Sequence, residues 1–318
     1  MLFRRFFQSS PLVRFRVNEA LTSNQSLLSR LRKKTGYAIT NCKKALEINN
    51  NNIEEAEQWL NAQAQAQGWA KAAKLQSRST PNGLVGMLLN ENSAVMVEVN
   101  CETDFVARNE KFQTLVSQIT EVCFKNSLKL ASTTSLSENE ALVKIGYSSE
   151  QLGVLKMNDN ASQTLSDLLA LNIGQIGENM SIRRSAALFS NNNKTKFACC
   201  THPQQTYGNI FIGKYAAVIA YEENLPTLEN QELPENIDVV KLPKQLCQHI
   251  IGMNPLTVNR TESKSDETNE EETALSHQEF LSNPEYTVNE ILTQVGWELK
   301  DFLRFECGES IVENISSK

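Results

Sequence analysis

The stretch Pro81–Asn109, PNGLVGMLLNENSAVMVEVNCETDFVARN, decides the fold. Pro81-Asn82-Gly83 punctuates the chain, and Leu84–Leu89 then reads as a strand. Asn90–Ser93 supplies turn residues. Ala94–Val99 returns as a second strand, with Val95, Val97 and Val99 alternating against Met96 and Glu98. The two strands form a hairpin. Beyond it the chain leaves the strand and enters a helix, so Thr103-Asp104-Phe105-Val106 occupies a stiff strand-to-helix corner. A longer helix follows, because Phe112, Leu115, Val116, Ile119, Val122 and Cys123 fall on one stripe.

Working outward toward the C-terminus, Ser137 and Glu140 have capping-box spacing and predict a further helical stretch. Asn179–Phe189 reads as a third strand. A second unit repeats this arrangement. Phe197–Thr201 and Ile210–Tyr221 are strands, and Pro243 opens a helix with Leu246, Ile250 and Ile251 on its apolar face. His249 on that helix reads as structural. Thr287 and Glu290 form another capping box, followed by Val288, Ile291, Leu292 and Val295, with Gly296 as a stop. Leu299–Cys307 is a closing strand. Residues 259–274 are polar and acidic and read as a solvated loop.

Working toward the N-terminus, residues 25–66 form a compact helical module. Leu27, Leu28 and Leu31 mark one helix, broken at Thr35-Gly36. Thr40 can cap a second helix through Leu46. Asn49–Asn52 makes a turn, and Asn52 with Glu55 opens a third helix bearing Ile53, Ala56 and Leu60. Three short helices in so short a span resemble a ubiquitin-associated (UBA-like) bundle. Residues 62–80, rich in Ala, Gln, Lys and Ser, read as a helical tail and linker. The predicted fold class is therefore α+β. A UBA-like three-helix module (25–66) and a linker (67–80) precede two related α+β subdomains with small antiparallel sheets. These span 81–195 and 196–318, the second with a polar acidic loop at 254–283.

Composition bounds the function. Hydrophobic residues are 40% and charged residues 21% of 318, enough apolar material for packed cores. No apolar run is long enough to span a bilayer. The formal net charge is -6, and the rest is more acidic still, because residues 1–20 hold Arg4, Arg5, Arg14 and Arg16 against Glu19. An acidic chain is a poor binder of bulk nucleic acid but can bind a protein. Residues 1–24, arginine-rich and free of acid through Val17, read as a mitochondrial transit peptide, with the matrix as destination. The seven cysteines are scattered without a C-x-x-C pair and fit reduced thiols. Cys199, Cys200 and His202 lie close in sequence, but zinc wants four ligands and no second spaced pair exists, so no metal is expected. No P-loop, G-x-G-x-x-G or G-x-S-x-G pattern occurs, so the chain is predicted to bind no nucleotide itself and to be no enzyme.

LRKKTGYAITNCKKAL (Leu31–Leu46) and EVNCETDFVARN (Glu98–Asn109) resemble the two signature motifs of elongation factor Ts. IGENMSIRR (Ile176–Arg184) and FLRFECGE (Phe302–Glu309) agree with the same family. GKYAAVIAYE (Gly213–Glu222) and QHIIGM (Gln248–Met253) resemble its mitochondrial branch. The motifs run in order from about residue 26 to 309. The resemblance implies a guanine nucleotide exchange factor whose partner is mitochondrial elongation factor Tu, with no cofactor, no direct nucleic acid and no membrane. It implies that Thr103, Asp104, Phe105 and Val106 form a wedge beside the partner's Mg²⁺ and phosphate region. It places Arg32, Ile39 and Thr40 of the N-terminal module, and His202 of the second subdomain, at further partner contacts. His202-Pro203 departs from the His-Gly often found there. The bacterial helical hairpin is replaced by the polar loop. The competing expectation is a UBA-type adaptor built on residues 25–66, binding protein without exchange activity.

Overall fold

A computed structural model of the chain describes residues 27–35, 37–133, 142–159, 161–224, 238–259 and 272–310. The presequence and most of the acidic loop lie outside them. The chain divides into two compact units at Ala70/Lys71.

The first unit holds α1 (27–35), α2 (Ile39–Ile48) and most of α3 (Ile53–Leu75). Leu31, Cys42, Ala45, Leu46, Ala56 and Leu60 fill its core. Asn50 and Asn51 turn the chain between α2 and α3 at φ of 50° and 64°, a region asparagine tolerates better than most residues. Asn52 Oδ1 accepts the N–H groups of Glu54 and Glu55 at 3.0 and 3.3 Å. One expectation changes here and one is made more definite. α2 starts at Ile39 behind an extended Ala38 with no side-chain cap, so Thr40 sits inside the first turn and is not a cap. The segment 67–80 is helical through Leu75, because its alanines, glutamines and lysines are good helix formers and Leu75 is buried in the core of the second unit.

The second unit is layered as helices, sheet, sheet, helices. Its first sheet is antiparallel in the order β3-β4-β2-β1-β7-β6. Its strands are β1 (Asn82–Leu89), β2 (Ser93–Cys101), β3 (Leu142–Ser148), β4 (Met180–Ser190), β6 (Gln205–Tyr207) and β7 (Ile210–Gly213). The second sheet, β11-β8-β5, comprises β5 (Thr195–His202), β8 (Tyr215–Glu223) and β11 (Trp297–Glu306). On the outer face of the first sheet pack α4 (Asp104–Ala107), α5 (Glu110–Thr133), α6 (Ser149–Gly153) and α7 (Leu165–Ile176). On the outer face of the second pack α8 (Leu242–Met253) and α9 (Val288–Val295). A hairpin of β9 (Glu279–Phe280) and β10 (Asn283–Thr287) leads into α9.

Both faces of β2 are therefore covered, and every one of its residues is buried. Val95, Val97 and Val99 meet Phe112, Leu115 and Ile119 of α5. Met96 meets Val218 and Leu303 across the sheet–sheet interface. The alternation in the sequence separates two cores and not core from solvent.

Two further expectations are corrected. The sheets do not divide at residue 195, because β7 pairs with β1 and β6 with β7 in the first sheet. The expected strand Ile210–Tyr221 breaks at Lys214, where the chain crosses between sheets. There the Lys214 N–H donates to the His202 carbonyl and the Lys214 carbonyl accepts from the Cys307 N–H, both at 2.9 Å. A Cβ on Gly213 would stand 2.9 Å from the His202 nitrogen, so the crossing needs glycine. Ser137 and Glu140 lie outside the described residues. The chain after them is β3, whose Val143, Ile145 and Tyr147 suit a pleated surface better than a helix. α7 went unforeseen, although Thr164 and Asp167 form a full capping box at its start.

The sheets are also joined by charge. Glu98 has no solvent access. Its carboxylate accepts from Arg183 Nη1 at 2.9 Å, Arg184 Nε at 2.7 Å and the Gly308 N–H at 2.8 Å. Consecutive arginines on one strand normally point to opposite faces. Here a bulge lies between the pairs Glu98–Arg184 and Val99–Ile182, and it turns both toward one carboxylate. Arg184 also meets Glu309 Oε1 at 2.6 Å, and Arg304 meets Glu309 Oε2 at 2.7 Å.

Two outcomes follow. Gly86 on β1 faces α5 so closely that a Cβ would stand 2.1 Å from Thr120 Oγ1 and 2.9 Å from Val116 Cγ1. Gly86→Ala should cost about 2 kcal/mol by overpacking, read as a lower urea midpoint at unchanged slope. Burial alone would raise the Glu309 carboxyl, but the Glu306 N–H and the Arg184 and Arg304 guanidiniums outweigh it and hold it below the usual value of 4.5. A depressed carboxyl contributes stability that is complete above the unfolded value and is lost as pH falls through the folded one. Glu309→Gln should therefore lower stability at neutral pH and flatten the decline below about pH 4.5, measured by denaturant titrations across pH.

Candidate functional site

The corner after β2 is built from its own residues upward. Thr103 is extended and caps α4, its Oγ1 accepting the Val106 N–H at 3.3 Å. Thr103, and not Asp104, is thus the cap, and Asp104 takes the first helical position, where a negative charge is favoured. Glu178, in the turn between α7 and β4, accepts the Thr103 N–H at 3.1 Å and its hydroxyl at 2.8 Å. The Cys101 thiol donates to the Thr103 carbonyl at 3.2 Å. Burial, reinforced by the Glu178 charge, pushes that thiol up to about 12, so it stays neutral.

The four residues of the corner do different things. Val106 is 8% exposed and anchors α4 in the core under α5, so its side chain is held inward and not offered to a partner. Phe105 is 79% exposed. Asp104 is half-exposed and pairs with Arg108 at 2.9 Å, an i,i+4 contact open to solvent and worth little on its own. The outcome is an acid and an aromatic ring standing out from a part-buried mount that is tied by hydrogen bonds to its own cap and to Glu178.

The structure brings a second expected element to the same place. A hollow of about 370 Å³ is lined by Asp104, Arg108, Gln113, Pro203, Gln205 and Lys214. Residues of the corner and of the turn after His202 thus line it together. They are tied by Gln113 Nε2 to Gln205 Oε1 and Thr114 Oγ1 to Tyr207 Oη, both at 2.9 Å. His202 is exposed at the end of β5, with the Tyr215 ring centroid 6.4 Å away. Arg32, Ile39 and Thr40 are exposed on the first unit, Ile39 by 49%, so this isoleucine is not spent on the module's core.

Cys199 and Cys200, adjacent on β5, point to opposite faces. Cys199 packs between the sheets and Cys200 under α8. Among the described residues no group of three or more His, Cys, Asp or Glu side chains is placed to hold a metal ion. His249 is buried. Its Nδ1 accepts the Leu281 N–H at 3.1 Å, which leaves Nε2–H to donate to Gln278 Oε1 at 3.0 Å. Arg183, Arg184, Arg304 and Glu306 are occupied by the inter-sheet network. Sequence reading missed Arg108, whose i,i+4 spacing from Asp104 was visible. It also missed Glu178, whose partner lies 75 residues away.

The site is thus a half-exposed acid beside an exposed aromatic ring, at the edge of an open hollow. Comparison with known proteins gives the family. Residues 12–70 match the family model "Elongation factor Ts, mitochondrial, N-terminal", and residues 102–273 match "Elongation factor TS". The mitochondrial elongation factor Ts of Aedes aegypti is 40% identical over 91% of this chain and 90% of that protein. The Drosophila melanogaster counterpart is 41% identical over 90% and 86%, and the human one 39% over 91% and 85%. The chain belongs to the elongation factor Ts family, in its mitochondrial branch.

Phe105→Ala should leave folding stability within about 0.5 kcal/mol of the parent, because the ring is exposed. Thermal unfolding checks this, and a large drop in midpoint would show that the ring packs against its own domain.

Proposed function

We propose that this chain is the guanine nucleotide exchange factor for mitochondrial elongation factor Tu, and that Asp104 and Phe105 are its wedge. The observation that supports it is the ring of Phe105, 79% exposed at the end of a hydrogen-bonded corner. Burying such a ring in a partner's pocket recovers roughly 2–3 kcal/mol. A GTPase holds GDP with main-chain N–H groups, a lysine and Mg²⁺, whose octahedral shell tolerates little displacement. A ring seated between the partner's elements shifts the groups that ligate phosphate and metal. The Asp104 carboxylate, brought beside the metal site, competes for its water and cation network. No bond is made or broken in this chain, and the partner alone holds the nucleotide.

Arg32, Ile39 and Thr40 on the first unit, and His202 on the second, supply contacts that hold partner and factor together. These are uniform contacts, felt whether GDP is present or absent. The wedge differs, because it is favourable only with GDP displaced. By linkage, each ligand then weakens the other by the same factor.

The test is release of labelled GDP from elongation factor Tu on mixing with the chain. Asp104→Ala with Phe105→Ala should slow stimulated release by about 30-fold or more, the scale of a lost interface anchor, while circular dichroism and melting stay parental. Parental release rates in the double variant would remove these residues from the mechanism.

A further inference from the structure

The last ladder pair between β2 and β4 is Cys101–Met180. Beyond it the two strands stop pairing through their backbones, yet they do not separate. Glu102 follows β2, and its Oε1 accepts the Asn179 N–H at 2.6 Å. Glu178 precedes β4 by two residues, and its carboxylate accepts the Thr103 N–H and hydroxyl. Each strand end thus lends a carboxylate to a main-chain N–H of the other. Asn82 Nδ2 donates to the Glu102 carbonyl at 2.9 Å, and Asn179 Nδ2 to the Arg78 carbonyl at 2.7 Å, which fastens the same corner to the segment entering β1. Outside this brace, α4 is one turn long and is held in the core only by the side chains of Val106 and Ala107.

We propose that Glu102 and Glu178 are positioning residues. Their exchanged hydrogen bonds fix the angle at which Asp104 and Phe105 leave the sheet, and so set how strongly the tip couples to nucleotide release. This rests on the exchange function proposed above. Both carboxylates are engaged with groups of this chain. Hydrogen bonds to charged acceptors are the stronger kind, and Glu178 makes two of them to the residue that caps α4. Replacing it by glutamine turns an acceptor pair into one acceptor and one donor. The new amide donor faces the Thr103 hydroxyl, which must turn its own hydrogen away, while the bond to the Thr103 N–H loses its charged acceptor, so the cap is held less firmly in one direction. A tip that must be ordered on docking transmits less of its binding energy to the distorted site.

The experiment uses the full chain with labelled GDP on elongation factor Tu, read as a maximal release rate and a half-saturating concentration. Glu178→Gln should lower the maximal rate about tenfold with little change in the half-saturating concentration, since the uniform contacts are untouched. A loss confined to the half-saturating concentration, or no loss, overturns the proposal. In a Phe105→Ala background the Glu178→Gln effect should shrink to less than twofold, because the brace acts through the tip; a full tenfold effect there overturns it. Amide hydrogen exchange tests the brace independently of exchange activity. Thr103 protection should fall about tenfold in Glu178→Gln with Asn179 protection kept, and the reverse in Glu102→Gln. Unchanged protection overturns the brace even where Phe105→Ala shows the wedge to be real. Parental release in Phe105→Ala with lost Thr103 protection would instead sink the wedge, and with it the positioning role, leaving the brace as structure alone.

Discussion

A carboxylate without solvent, Glu98, sits where the two sheets of the core meet, and the fold around it depends on its being fully partnered. Two guanidiniums and one main-chain N–H converge on it. An unpaired charge in that place would be far more costly than the pair is favourable. The constraint reaches in three directions. It forces the bulge that turns Arg183 and Arg184 to one side. Through Arg184 and Glu309 it fastens the end of β11. It also fixes β2, three residues before Cys101, in a position from which the chain leaves the sheet in one direction only.

The corner that follows inherits this rigidity. β2 is walled by side chains on both faces, so its last residues cannot twist independently of either core. The strand hands its order to Thr103, which is held by its own cap and by Glu178. What stands beyond is a phenyl ring in water, beside a carboxylate paired with a solvent-exposed arginine. A mobile loop bearing the same two residues would lose much of its docking energy to ordering. A buried one could not dock at all. The structure avoids both by placing order in the mount and exposure in the tip. The hollow between the corner and the His202 turn extends that surface across the junction of the two sheets.

Much of this was legible in the sequence, for physical reasons that differ by element. The hairpin of β1 and β2 was plain because turn residues separate two apolar runs. α9 was plain because Thr287, Glu290 and Gly296 mark both its ends. The corner at Thr103 was visible as a change of periodicity. What stayed hidden required partners distant in sequence. β7 joins the first sheet through pairing with β1, some 125 residues earlier. β3 pairs with β4 across the intervening helices α6 and α7, a partner that no local spacing announces. α7 was written in Thr164, Asp167 and Gly177 but lies inside a mixed run with no apolar contrast at its edges. Glu178 carries no local signal of its role. The exposure of Ile39 and Phe105 against the burial of Val106 is also a three-dimensional fact, since all are large apolar residues at helix starts.

The function proposed above is thermodynamic at its centre: this chain and GDP would each weaken the other's hold on the partner GTPase. It is tested most directly by titrating GDP against mitochondrial elongation factor Tu at rising fixed concentrations of the chain. The account expects the apparent GDP dissociation constant to climb with each addition and to level off at a factor equal to the loss of affinity that saturating GDP imposes on the chain. An apparent constant that does not move, while the two proteins demonstrably bind, would contradict it.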